Sequence, residues 1–380
     1  MNKVYDLAIV GAGILGLAHA YAAARLGKRV AVVERDGRVN GASIRNFGFV
    51  TVTGQPRGET WRRARRSRDV WVEIAEAAGI AIEQRGLLLT LRRPESRRVA
   101  EAFLETEMGE GCAILGRSEL LARLPQMATT DVTGALWSPH DLRVESHTAI
   151  PRLANWLREE WGVDFQFDTA VLDVDPPRIR TSRGTIAADA AIVCPGDDLV
   201  SLFPDSIAKY GVTKCRLSML RLADPGFRLP ATLMSDLGLL RYRGYADLPE
   251  AAALRRRLET EQSAHLRHGV HLIAVQSADG SLVVGDSHHY DDTPPPFAAD
   301  ETERLILDEF KAATGVAAPP VVARWTGVYA SAPDCATFVE APAASVRIVL
   351  VTGGNGASTA LAIGEEVVGE LFNRKIGDPT

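Results

Sequence analysis

Cysteine is scarce in this sequence, and positive charge is not in surplus. The 380 residues include 4 cysteines, Cys112, Cys194, Cys215 and Cys335, and none forms a C-x-x-C pair. That scatter excludes the common zinc frameworks and a disulfide-stapled scaffold, and it fits a reduced, cytoplasmic protein. No metal site is expected. A formal net charge of −5 speaks against general nucleic-acid binding. There is no internal repeat and no low-complexity tract. Residues 7–26 have the length of a membrane span. They include Gly11, Gly13, Gly16 and His19, however, and Asp6 precedes them. They also lack the basic start and small-residue cleavage site of a signal peptide. A buried strand and helix is expected there, and neither membrane nor nucleic acid is expected as a partner.

What is present begins at once. Residues 4–10 form an apolar run, followed by Gly11-Ala12-Gly13-Ile14-Leu15-Gly16 and an alanine-rich stretch to Leu26. A second apolar run, 29–33, ends in Glu34. Strand, glycine turn, helix, strand and acid are the parts of a dinucleotide fingerprint, in the right order. Gly11 permits the tight turn, Gly13 lets backbone approach a pyrophosphate, and Gly16 lets the helix lie close to the strand. The helix N-terminus offers unpaired N–H groups to phosphate charge. Glu34 follows Gly11 at close to the roughly 20-residue spacing expected of the acid that hydrogen-bonds a ribose hydroxyl.

The length suggests about two domains. Residues 41–56 read as a Gly-, Ser-, Thr- and Asn-rich loop. Helical periodicity appears at 59–78, 95–108, 118–124 and 147–161, with Gly162 as a stop. Strand patterns appear at 86–92, 134–137, 163–167, 170–174 and 190–193. A strand-rich block, 213–324, is interrupted by a charged helix at 248–265. His140-Asp141 resembles a catalytic dyad, but no nucleophile motif lies nearby, and a turn is expected. The arginines at 62, 63, 65, 66 and 68 read as a solvated helix face or a subunit contact. The strand 346–352 runs into Gly353-Gly354-Asn355-Gly356 and a helix over 358–372. The chain thus begins and ends with strand–glycine turn–helix units. The fold class expected is α/β, a discontinuous Rossmann-type domain with a mixed-sheet domain inserted. A ligand crevice is expected at the carboxyl ends of the strands.

The ordered set Gly11 to Gly16, Glu34, Gly41-Ala42-Ser43, Cys194-Pro195-Gly196 and Gly353 to Gly356 resembles the FAD-dependent D-amino acid oxidase superfamily, which includes glycine and sarcosine oxidases. The resemblance covers nearly the whole chain. It implies an FAD-binding domain over residues 1–79, 140–212 and 326–380, and a substrate domain over 80–139 and 213–325. Residues 41–48, Gly285-Asp286-Ser287-His288 and Arg324-Trp325-Thr326-Gly327-Val328-Tyr329 are similar to a bacterial subgroup linked to aminophosphonate breakdown. That likeness implies oxidation of 2-aminoethylphosphonate or its N-methyl derivative to phosphonoacetaldehyde. The alternatives are a glycine, sarcosine or D-amino acid oxidase or dehydrogenase and, from another class, a flavin protein that turns over no amine. In sarcosine oxidases a cysteine before a Pro-Asp pair is joined to the flavin. Here the comparable place is near Gly327, and Cys335 follows Pro333-Asp334, so FAD is expected without a covalent link. The strand resembling the one with their oxygen-activating lysine, 281–285, has no lysine, as in glycine oxidases. O2 or another acceptor is expected as the electron partner, and the reading favours an oxidase.

The resemblance implies cofactor contacts from Gly11, Gly13, Ile14, Gly16, Glu34, Arg35, Ser43, Arg45, Asn46, Phe47, Val171, Cys194 and Gly196. It also implies contacts from Gly353, Gly354, Asn355, Gly356, Ala357, Ser358 and Thr359. The protein supplies position and field, and the cofactor carries the redox chemistry. A helix N-terminus at residues 353–359 would stabilise negative charge on a flavin ring. An acid-bearing amine needs cations for its acid group. One bidentate arginine satisfies a carboxylate, whereas three phosphonate oxygens call for two or more donors. The substrate candidates are Arg241, Tyr242, His288, Arg324, Trp325 and Tyr329, with Arg243, His289 and Tyr290 behind them. If 241–243 is a strand, Arg241 and Arg243 share one face and Tyr242 takes the other. His288 is a candidate base.

Overall fold

The structure, a computed structural model, describes residues 4–374. Residues 1–3 and 375–380, which close the two ends of the expected FAD-binding domain, lie outside the described residues. Two sheets organise the chain. The first has a parallel centre, in the spatial order Val346–Val351, Gly184–Val193, Val4–Val10, Val30–Val33 and Asp164–Gln166. The inner strands, Val30–Val33 above all, are rich in Val, Ile and Ala because both faces are covered, as a parallel sheet requires, whereas the edge strand Asp164–Gln166 is Asp-Phe-Gln and only partly buried. Val171–Asp175 and Arg178–Thr181 extend this sheet as antiparallel additions, and Thr337–Ala343 pairs antiparallel to Val346–Val351.

Ile14–Arg25, Glu59–Ala78, Ser146–Trp161 and Gly356–Leu371 are helices that share one apolar core beside this sheet. Glu59–Ala78 shows why. It buries Trp61, Ala64, Ser67, Val70, Trp71, Ile74, Ala75 and Ala78, a three-and-four spacing that makes one continuous stripe. Gly79 then ends it in the left-handed conformation. Gly16 meets the requirement expected of it, since a Cβ there would lie 1.9 Å from the Gly11 carbonyl oxygen.

The second sheet is mixed and has ten strands. Thr232–Met234 runs parallel to Ile82–Leu91, and the remaining pairings are antiparallel. Its long central ladder joins Thr213–Leu222 to Val321–Ser331. Gly134–Val144 and Val321–Ser331 run unbroken across the joints expected at 139/140 and 325/326.

His140-Asp141 is not a turn. It lies within the strand Gly134–Val144, where pairing jumps from Leu87–Ser138 to Arg85–Leu142. That irregularity accommodates Pro139, which a regular ladder would reject. Residues 241–243 are not a strand either. They join two one-turn helices, Gly238–Arg241 and Arg243–Ala246.

Candidate active site

The sheets meet around a cavity of about 960 Å3. That is the upper part of the roughly 300–1,000 Å3 typical of ligand and cofactor sites. Its wall on the parallel-sheet side consists of the turns that follow the carboxyl ends of three strands. Gly13 to Gly16 follows Val4–Val10, Cys194 and Gly196 follow Gly184–Val193, and Gly353 to Ser358 follows Val346–Val351. This is the crevice position expected of an open parallel sheet. Ser43 braces the first turn, its hydroxyl accepting the Ile14 N–H at 2.9 Å. That hydroxyl stands 3.0 Å from where a Cβ at residue 13 would be, so Gly13 is needed for Ser43 as well as for any phosphate. Arg45, Asn46 and Phe47 cross the cavity next. Asn46 fixes this crossing by donating to the Ala42 carbonyl at 2.8 Å and accepting the Gly48 N–H at 2.7 Å.

The mixed sheet supplies the opposite wall. Here the buried His271, Asp286 and His288 form one cluster with the half-buried Arg241 and Tyr329, which also line the cavity. Arg241 donates from Nε to His288 Nε2 at 3.3 Å and from Nη2 to the Tyr329 hydroxyl at 3.2 Å. His288 Nδ1 lies 2.9 Å from the Gly269 carbonyl, which can only accept. Nδ1 therefore carries the proton, and Nε2 is the acceptor that meets the arginine. His271 Nδ1 lies 3.1 Å from Asp286 Oδ1. Asp286 Oδ2 is 3.9 Å from His288 Nε2. Tyr242 lies edge-on to His271, with ring centroids 5.7 Å apart.

Burial sets the charges of this cluster. It pushes the Asp286 carboxyl up to about 7, although Arg241 pulls the other way. It pushes His271 down to about 3, with Arg241 adding to the effect. His288 is held well below the ordinary imidazole value by burial, then by Arg241 and His271. Burial also opposes the charge on Arg241, but Tyr329, Tyr290, Asp286 and Tyr242 hold its pKa above the ordinary guanidinium value. Arg241 is thus the permanent cation of a cluster whose imidazoles are neutral. The donor atoms of His271, Asp286 and His288 lie within 4.8 Å of one another, as metal ligands would. Both ring nitrogens of His288 are already engaged, however, and a metal ion would face the Arg241 guanidinium. The cluster suits an anion and a proton better than a metal ion.

The sequence profile of the family described as FAD dependent oxidoreductase matches residues 6–369. This chain belongs to that family. A D-amino acid dehydrogenase from Chromohalobacter salexigens is 32% identical over 146 residues, which is 36% of this chain and 35% of that protein. A glycine oxidase from Geobacillus kaustophilus is 25% identical over 210 residues, 52% of this chain and 55% of that protein. The chain therefore matches about a third to a half of the length of these curated relatives. The crystal structure of glycine oxidase from Geobacillus kaustophilus has the same fold over 98% of this chain and 96% of that one, with TM-score 0.77 and 19% identity. L-α-glycerophosphate oxidase from Mycoplasma pneumoniae with FAD bound aligns over 98% of this chain and 96% of that one, with TM-score 0.75 and 17% identity.

FAD is the cofactor of this oxidoreductase family, and the residues of the cavity fit it. Gly13 to Gly16 would hold its phosphates at a helix N-terminus. The N-terminus of Gly356–Leu371 points its positive end into the same cavity, where a flavin ring would gain from it. Asn355 ties that turn to the loop opposite by donating to Gln55 Oε1 at 3.0 Å. Ser358 Oγ accepts the Thr51 N–H at 2.9 Å. When bound, FAD supplies a two-electron acceptor, and the protein supplies the field around it.

Most of the expected cofactor residues line the cavity, and several do not. Gly11 lies under the turn, next to the Cys194 carbonyl. Glu34 closes the second strand and accepts the Ala12 N–H at 2.9 Å and the Asp36 N–H at 3.1 Å. It braces the glycine turn and retains lone pairs for a hydroxyl donor. Thr359 is buried one residue beyond the lining and bonds back to the Asn355 carbonyl. Arg35 is exposed and pairs with Asp198 at 2.8 Å, outside the lining. Val171 also lies outside it, in an edge strand next to the core.

On the substrate side, Arg324 is a correction. Its side chain is 58% exposed and forms a bidentate pair with Glu303 at 2.7 Å, outside the cavity lining. Trp325 also stands behind the wall, its Nε1 donating to the Arg45 carbonyl at 3.1 Å. Arg243 reaches the lining but pairs with Asp247 at the surface. His289 faces His268, and Tyr290 lies half-exposed in the lining. His288 is in the cluster, but its acceptor nitrogen is taken by Arg241, so it is not a free base. Reading the sequence missed His271 and Asp286. Asp286 had a signal, since it stands in the Gly285-Asp286-Ser287-His288 segment from which only His288 was taken as a candidate.

Proposed function

We propose that this flavoenzyme oxidises a small amine bearing an anionic group, with 2-aminoethylphosphonate or its N-methyl derivative as substrate and phosphonoacetaldehyde as product. The observation that carries this is Arg241. A buried charge is normally paired. The buried Arg93 and Arg143 meet Asp236 at 2.9 Å and Glu145 at 2.7 Å, while the buried Arg216 is met by the Pro295 and Phe297 carbonyls; Arg241, half-buried in the cavity wall, meets only the neutral His288 and Tyr329. Among the described residues, no carboxylate stands within ion-pair distance of Arg241. An anionic ligand would complete it. The Tyr329 hydroxyl, which accepts from Arg241, keeps its own O–H free to donate beside the guanidinium, a second donor that suits a three-oxygen phosphonate. Loss of hydride from the carbon next to nitrogen gives an imine, and water converts the imine to the aldehyde and free amine. Oxygen is the electron acceptor we favour.

A second reading has its own support. Arg241 is the one permanent cation in the cluster, and a single guanidinium can satisfy a carboxylate. The glycine oxidase and D-amino acid dehydrogenase relatives point the same way. The test is anaerobic bleaching of the flavin by 2-aminoethylphosphonate, its N-methyl form, glycine, sarcosine and D-alanine. Bleaching by the phosphonates alone is expected. Bleaching by the amino acids alone would move the protein to the second reading, and bleaching by none would remove both. Admitting air then tests for hydrogen peroxide, whose absence would make the protein a dehydrogenase.

A further inference from the structure

We propose that Asp286 is the proton acceptor for the ammonium group of the substrate and that His271 positions it. The proposal rests on the amine-oxidation reading above. It starts from an exclusion. An amine must lose its ammonium proton before hydride can leave the neighbouring carbon, because the nitrogen lone pair drives that departure. His288 has no free lone pair. Arg241 cannot accept a proton, and burial holds the Tyr329 phenol in its neutral form. Asp286 lines the cavity, and its buried Oδ1 has His271 Nδ1 3.1 Å away, in contact but outside hydrogen-bonding geometry, so that neither atom has a hydrogen-bond partner among the described residues.

The other buried carboxylates of the molecule are better supplied. Asp236 accepts two bonds from Arg93 and one from Ser96. Glu309 accepts from Arg92 and Gln262. Asp141 accepts from Thr51, Val52 and Thr53. A buried acceptor left open is costly and needs a reason. Position supplies one. Asp286 follows the strand Leu282–Gly285, and Phe47, from the segment that crosses the cavity, comes within 3.4 Å of the Cβ position at Gly285. Asp286 Oδ2 stands 3.9 Å from His288 Nε2, the atom that accepts from Arg241, so an amine whose acid group met Arg241 would bring its nitrogen within reach of Asp286.

The step balances without a co-reactant. One N–H bond of the ammonium breaks, one O–H bond forms on the Asp286 carboxylate, and a cation and an anion become two neutral groups. A water-poor site favours that neutralisation. The groups that tune Asp286 are Arg241, His271 and His288, with Tyr242, Tyr290 and Cys215 in its field. A carboxyl held near neutrality is suited to exchange a proton at working pH.

The test is the pH dependence of anaerobic bleaching by whichever amine reduces the wild-type holoenzyme, repeated with Asp286→Asn, Asp286→Glu and His271→Gln. Flavin content reports folding. Asp286→Asn is expected to slow bleaching near pH 7 by about 10²–10⁴-fold. Its rate should then climb about tenfold per pH unit, following the ionisation of the free amine. Asp286→Glu should restore part of the wild-type profile, and His271→Gln should shift the acid limb in the same direction by less. Ethylphosphonate, an anion without nitrogen, should bind Asp286→Asn no more weakly than wild type, because Arg241 is retained and a neighbouring negative charge is removed. A wild-type profile in both Asp286→Asn and His271→Gln would overturn the proposal and leave amine oxidation standing. Failure of every acid-bearing amine to bleach wild type would overturn both. If Asp286→Asn fails to fold, the His271→Gln profile decides.

Discussion

Asp141 and Asp286 are both buried, and they are used in opposite ways. Asp141 accepts the N–H groups of Val52 and Thr53 at 2.8 and 3.1 Å and the hydroxyls of Thr51 and Thr53 at 3.0 and 2.6 Å. It pins residues 51–53, whose neighbours line the cavity. Asp286 has the same side chain and the same burial, yet one of its oxygens lacks a donor and its charge is opposed by desolvation. A satisfied buried acid holds the fold together. An unsatisfied one lowers stability and makes the group available to a ligand.

Substitutions can break this contrast. Asp141→Ala should cost about 3–5 kcal/mol, because it leaves several buried donors unpaired. Denaturant unfolding would show it, and a loss below 1 kcal/mol would contradict the assignment. Arg241→Met should weaken binding of acid-bearing ligands by about 2–4 kcal/mol while flavin is retained. Spectral titration with ethylphosphonate checks this, and unchanged affinity would move the anion site elsewhere.

Asp286→Asn should change stability by no more than about 1 kcal/mol, as a gain over wild type at higher pH. The sign follows from linkage. The folded carboxyl, at about 7, sits above its unfolded value, so the native state binds more protons between about pH 4 and 7. Its contribution to stability is full below pH 4 and falls as pH rises through 7. Asp286→Asn should therefore gain on wild type over that window. His271, at about 3, works the other way, with its contribution lost as pH falls from about 6.5 toward 3. Subtracting the two proteins' melting curves isolates Asp286, and a flat difference would contradict its burial as a titrating group. The smallest effect belongs to Arg324→Ala. Its solvent-screened pair with Glu303 should leave the unfolding midpoint almost where it is in wild type, with flavin reduction unchanged.

The same contrast explains what could be read from the sequence. The turns after Val10 and Val351 were legible because strand, glycines and helix are contiguous, and each residue's role is local. The wall around Asp286 is assembled from distant segments. His271 arrives through the antiparallel pairing of Ile273 with Gly285, a register that local pattern does not encode. The alternation of Arg241, Tyr242 and Arg243 mimics a strand, and two four-residue helical turns are too short to show a helical period. Arg324 looked available because its partner, Glu303, lies on the helix Asp300–Thr314. Pro139 suggested that the chain stops at a turn, and only the pairing partner reveals an irregular strand passing through.

The most direct measurement compares 2-aminoethylphosphonate with ethylamine, the same amine without its acid group, in anaerobic bleaching of the wild-type flavin. The account predicts rapid bleaching by the phosphonate and a rate lower by at least about two orders of magnitude with ethylamine, because Arg241 would have no anion to hold. Equal rates for the two amines would contradict it.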